Sequence, residues 1–116
     1  MLLTAEVLAA AYEYLWHTEP FSLWNLPSSD EVKFLVVKTT KLFGYHLFDG
    51  KKHTIAISSK RCVRTLSLME TMAHEMIHLY QHNTKPKMAR PGKHNKAFHQ
   101  LGDHVCKIHG FDRGCF

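Results

Sequence analysis

Thr65-Leu66-Ser67-Leu68-Met69-Glu70-Thr71-Met72-Ala73-His74-Glu75-Met76-Ile77-His78-Leu79-Tyr80-Gln81-His82-Asn83-Thr84 decides how this chain is read. Its centre, His74-Glu75-Met76-Ile77-His78, has the H-E-x-x-H spacing of zinc hydrolases. On an α-helix, residues four apart differ by only about 40° around the axis, so His74 and His78 point the same way and can share one ion. Glu75 lies about 100° round from His74, placed to reach a metal-activated water without taking a coordination position. The chain carries ten histidines, and its composition alone yields on the order of 0.04 chance matches to this motif. Context must therefore carry the assignment.

That context is helical. Ser67 and Glu70 have the spacing of a capping box, which predicts that the helix starts there. Leu68, Met69, Met72, Ala73, Met76, Ile77 and Leu79 spread apolar side chains over more than one face, as in a helix buried within a small domain. Asn83-Thr84-Lys85-Pro86 closes it, because proline disfavours helical geometry at the residue before it.

A catalytic zinc commonly takes three protein ligands and keeps a fourth position open, so a third donor is needed. Downstream lie His82, His94, His99, His104 and His109. His82 sits about 12 Å up the same helix from His74 and is a poor candidate. His94 follows a segment containing Pro86, Pro91 and Gly92 and precedes the helical pattern Ala97, Phe98, Leu101, Val105, Ile108. A helix-loop-helix path delivers it to the open side of the pair, whereas His99, His104 and His109 fall deeper in that second helix. Zn2+ held by His74, His78 and His94, with Glu75 as the catalytic carboxylate, is the expected site. Tyr45, His46 and Tyr80 are candidate oxyanion stabilisers, and Asp103 is a candidate hydrogen-bond partner for a ligand imidazole.

Thr71, His74, Glu75, His78, His94 and Phe98, in the stretches 71–82 and 94–105, resemble the SprT-like (Spartan-type) zinc metallopeptidase domain. That family's T-x-x-H-E-x-x-H helix is followed by a helix opening H-G-x-x-F; here Asn95 stands in place of the usual glycine. The resemblance implies a small zincin-like α+β domain covering most of the chain, and action on proteins bound to DNA. Larger members often add a four-cysteine zinc ribbon. This chain has only Cys62, Cys106 and Cys115, without a C-x-x-C pair, and so matches a minimal form. Metzincins fit worse, because Leu79-Tyr80-Gln81 does not continue as their H-x-x-G-x-x-H.

The 116 residues are expected to form a single domain, 1–116, free of repeats and low-complexity tracts. Met1 to Trp16 reads as an amphipathic helix, since Glu6 and Glu13 interrupt its apolar run and no basic region precedes it. A second helix is expected from Pro27-Ser28-Ser29-Asp30 through Val32, Leu35, Val36, Thr39 and Leu42 to Gly44. Gly44 to Phe48 and His53 to Ser58, joined by Asp49-Gly50, read as a β-hairpin. The expected order is helix, helix, hairpin, helix, helix, with a hairpin or small antiparallel sheet beside the metal helix. His53 to Ser58 is the candidate edge strand for an extended peptide.

Net charge is +5. Lys85, Lys87, Arg90, Lys93 and Lys96 crowd the segment that delivers His94, an arrangement suited to DNA or to acidic substrates. Its alternative is a solvated loop. Trp16, Phe21 and Trp24 are read as core residues before nucleobase-stacking ones. An odd cysteine count at irregular spacing points to a reducing compartment, cytoplasmic or nuclear, and no membrane span is expected. The function this assembles is zinc-dependent hydrolysis of a protein or peptide substrate. The alternative is a non-catalytic zinc-containing module that binds nucleic acid or protein, and Glu75 separates the two, since a structural site has no use for a carboxylate there.

Overall fold

The computed structural model describes residues 2–84 and 94–116, and of Cys115 only the backbone. Helix α1 spans Ala5–Trp16, with the Thr4 hydroxyl accepting the Val7 amide at 3.2 Å to cap it. Its spacing puts Leu8, Ala11, Tyr12 and Leu15 on one buried face. The Tyr12 hydroxyl donates to the Pro27 carbonyl at 2.5 Å and the Trp16 indole N–H to that of Leu26 at 3.0 Å, which ties the following loop to the helix.

The expected second helix is a β-strand. Ser28 and Glu31 do form a capping box, but it caps a single 3-10 turn, Ser29–Glu31. The chain then extends as β1, Val32–Val37. Valine, phenylalanine and leucine dominate this run, and their branched and aromatic side chains suit a pleated surface. It pairs in parallel with the third strand, Val32 opposite His53 through Val37 opposite Ser58. A short, nearly continuous apolar run of this kind has no periodicity that distinguishes a strand from a helix.

The hairpin is present. Strands β2, Gly44–Phe48, and β3, His53–Ser58, pair antiparallel. Asp49 accepts the amides of Lys51 and Lys52 at 2.9 and 2.8 Å, and Gly50 takes the positive φ of 97° that the turn requires. The sheet order is β1-β3-β2, so the sheet is mixed rather than antiparallel. His53 to Ser58 is its central strand, paired on both sides, and the expectation of an edge there is corrected. The edge beside the metal helix is β2.

Helix α2 spans Thr65–Thr84. Ser67 does not precede it; its hydroxyl, in the first turn, donates to the Arg64 carbonyl at 2.8 Å and accepts the Arg64 amide at 3.3 Å. Met72, Ala73, Met76, Ile77 and Leu79 are fully buried between α1, the sheet and the last helix. Helix α3, Lys96–His109, closes on Gly110 in the left-handed conformation, φ 76°. The fold is thus α+β, with three α-helices and a three-stranded sheet among the described residues. Among the described residues no helix is long and apolar enough to cross a membrane.

Candidate metal centre

His74 and His78 leave α2 one turn apart, and His94 meets them from the residue before the α3 cap. The ring centroids lie 5.1 Å (His74 to His78), 4.8 Å (His74 to His94) and 5.2 Å (His78 to His94) apart. One nitrogen from each ring falls within 4.8 Å of the other two, and among the described residues this is the one His, Cys, Asp or Glu group so gathered. The Nε2 atoms of His74 and His94 are 3.1 Å apart. Tetrahedral ligands at the usual Zn–N distance are separated by about 3.3 Å, so the spacing and the all-imidazole donor set both fit zinc.

Packing holds the rings. Phe98, 1% exposed, stacks on His94 at 4.4 Å and on His78 at 4.6 Å, and meets His74 edge-on at 4.8 Å. Asn95 accepts the Phe98 amide at 2.8 Å, which starts α3 directly behind His94. The same oxygen accepts from the Gln81 amide at 3.1 Å and so ties the two helices together. Burial, then His78 and His94 as neighbours, holds the His74 imidazole down at about 3. Burial, then His94, holds His78 at about 4, and burial followed by His99 and Arg113 lowers His94. All three shifts favour neutral imidazole, the form that binds a metal.

Glu75, 5% exposed, lies beside them, and burial raises its carboxyl to about 8. A divalent cation at the histidines would act in the opposite sense and favour the carboxylate. The site opens into a cleft of about 960 Å³ bounded by α2 on one side and the residues leading into and along β2 on the other. Gly44 makes the narrow approach possible. A Cβ there would sit 2.5 Å from the Ala56 carbonyl oxygen and 3.1 Å from a Thr71 methyl.

Tyr45 and His46 line the cleft, whereas Tyr80 stacks on Trp24 at 4.3 Å and does not. Asp103 pairs with Arg113 at 2.6 Å, and Arg113 in turn bonds His99 Nδ1 at 3.1 Å; the expectation that Asp103 supports a ligand histidine is corrected. The Phe116 ring, by contrast, lies 5.4 Å from that of His74. No sequence spacing signals that contact, because it depends on the chain turning back after α3.

His82 packs near His46 and His53, His104 is exposed, and His109 bonds the Thr18 hydroxyl and the Glu19 carbonyl at 3.1 and 2.9 Å. Phe21 is buried in the core, with Trp16 and Trp24 packed against it. Lys85, Lys87, Arg90 and Lys93 lie outside the described residues, while Lys96 is exposed at the start of α3. Cys62 and Cys106 are buried free thiols.

The SprT-like family model matches residues 10–113, and the chain belongs to the SprT-like family. No curated protein and no solved structure matches it significantly.

Proposed function

We propose that this SprT-like chain is a zinc-dependent endopeptidase. The observation that carries the reading is the convergence of three imidazoles with the buried Glu75 on one wall of an open cleft. His74, His78 and His94 would hold the ion. Bound zinc supplies a Lewis acid that polarises a scissile carbonyl and brings water toward ionisation near neutral pH. Glu75 takes the proton from the attacking water and passes it to the leaving amine, and its burial suits it to carry a proton between those steps. The free edge of β2 aligns an extended peptide by main-chain hydrogen bonds along the cleft. Phe98 and Asn95 keep the rings in register and leave the chemistry to Glu75.

A non-catalytic metal module fits less well. Such a site tends to close with four protein donors, and among the described residues the cluster has three. We further infer that the substrates are proteins associated with DNA. Lys85, Lys87, Arg90, Lys93 and Lys96 supply the charge, adjacent in sequence to His94. The free thiols of Cys62 and Cys106 support a reducing setting, cytoplasmic or nuclear.

The test is metal analysis of purified protein alongside proteolysis of a DNA-binding substrate, with and without chelator and DNA, across salt concentrations. Zinc near one per chain and chelator-sensitive cleavage are expected. Glu75→Gln keeps the metal and loses cleavage by at least about a hundredfold, and His78→Ala loses the metal. Cleavage by Glu75→Gln at the parental rate would sink the catalytic assignment. Indifference to DNA and salt would remove the nucleic-acid part.

A further inference from the structure

His46 stands on the wall of the cleft opposite the metal histidines, at the head of a second group of imidazoles. His46 on β2 lines the cleft, as do His78 and Glu75 across from it. His46 Nε2 lies 2.8 Å from His53 Nδ1, and His53 Nε2 lies 2.8 Å from Asn83 Oδ1 near the end of α2. Phe48 packs on His53 at 4.6 Å and on His82 at 4.6 Å, and His82 meets His53 edge-on at 5.5 Å. Two strands and a helix thus clamp one imidazole in place. Among the described residues these histidines do not gather three donor atoms closely enough to hold an ion, so hydrogen bonding is the arrangement to explain.

The chain of bonds has a direction. An amide oxygen can only accept, so His53 carries its proton on Nε2 and presents a bare Nδ1. His46 must then donate from its own Nε2, which leaves His46 Nδ1 as a lone pair. Burial, with His53, His82 and His78 as neighbours, keeps His46 from taking a second proton. Among the described residues His46 Nδ1 has no hydrogen-bond partner, and the residue lines the cleft.

We propose that His46 is a substrate-binding residue, a fixed hydrogen-bond acceptor for a main-chain N–H of the peptide in the cleft, with His53 and Asn83 as the positioning residues that hold its tautomer. The inference rests on the peptidase reading for the identity of the ligand. A rigid acceptor opposite the metal histidines selects an extended backbone without regard to side chain. Tertiary amides at the matching position, as in proline, are excluded because they have no N–H to offer.

The experiment uses the zinc-loaded Glu75→Gln chain, which binds without cleaving, and an unstructured fluorescein-labelled casein peptide. His46→Phe keeps the ring and removes the acceptor, and should weaken binding on the order of tenfold, the worth of one hydrogen bond to a buried partner. His46→Gln, which retains an acceptor, should stay within about threefold. In the cleaving parent, the His46→Phe change should appear in KM with kcat nearly unchanged.

Imidazole 15N spectra should show His46 and His53 both protonated on Nε2, and Asn83→Leu should convert His53 to a mixture of tautomers, which a merely structural contact would not do. These spectra are recorded on chains with wild-type His46, so they test the bond chain even if His46→Phe fails to fold. Unchanged peptide affinity in folded His46→Phe, a proton on His46 Nδ1, or no peptide binding by any variant overturns the proposal. Binding that depends on His46 in a chain whose parent cleaves nothing would retain this inference and sink the peptidase reading. Cleavage indifferent to His46 would do the reverse.

Discussion

Gln81 and Asn95 join the two helices of the metal centre: the Gln81 amide donates to Asn95 Oδ1 at 3.1 Å, and the same oxygen caps α3 by accepting from Phe98 at 2.8 Å. Asn95 occupies the position where the family pattern usually has glycine. Its φ of −77° is open to any residue, so the backbone does not need glycine here, and the carboxamide does what glycine cannot. Asn95→Ala removes the cap and the bridge together. It is expected to cost about 1 kcal/mol or somewhat more in urea unfolding and to loosen zinc in competition with a chelator. Equal zinc affinity in both proteins would show that the bridge does not position His94.

Phe98 couples core to site. It is buried, and it touches all three ligand rings. Phe98→Ala should destabilise the chain by about 3–5 kcal/mol through the cavity left behind. Phe98→Leu, milder in volume, should fold but bind zinc more weakly, because a flat surface for His78 and His94 is lost. Isothermal titration with zinc and a thermal melt separate the two effects.

Gly44 sets the width of the cleft. Even one methyl there meets the Ala56 carbonyl oxygen, a backbone atom that cannot step aside. Gly44→Ala is expected to lose about 1–3 kcal/mol and to reduce peptide binding, because β2 must shift against β3, its partner in the sheet, to clear that oxygen. A variant as stable as the parent would mean that the strand shifts freely. The corresponding measurement is denaturant unfolding with the peptide assay on the same samples.

The metal-free protein should have a stability maximum near pH 6.5. Burial raises Glu75 to about 8 in the fold from 4.5, so the contribution of that group is complete below the unfolded value and is lost as pH rises toward 8. Burial lowers His46 and His74 to about 3 and His78 to about 4 from 6.5, so the unfolded chain takes up protons that the fold refuses as pH falls below 6.5. Between 4.5 and 6.5 these imidazoles outnumber the one carboxyl. Above that range the carboxyl acts alone, with a slope of at most about 1.4 kcal/mol per pH unit. Urea unfolding in chelator from pH 4 to pH 9 measures the curve, and a flat or rising limb above pH 7 would contradict the burial of Glu75.

The hairpin and the three helices were legible in sequence because their causes are local. The turn at Asp49-Gly50, the apolar spacing in α1 and α3 and the position of Pro86 after α2 act within a few residues of one another. The region from Asp30 to Gly44 was misread because Val32, Leu35, Val36 and Thr39 also satisfy a helical period. Only its pairing with β3 shows that the run is a strand.

What the sequence determined by itself is the pairing of His74, Glu75 and His78 on one helix, since the pitch of an α-helix fixes that relation whatever surrounds it. The nomination of His94 followed from the helix-loop-helix path. Tertiary structure alone decided that β3 is central and β2 the edge, that Asp103 pairs with Arg113 and not with a ligand histidine, and that His46, His53 and Asn83 form one directed chain. Each of these joins segments far apart in the chain, and which segments meet depends on how the whole apolar core is closed.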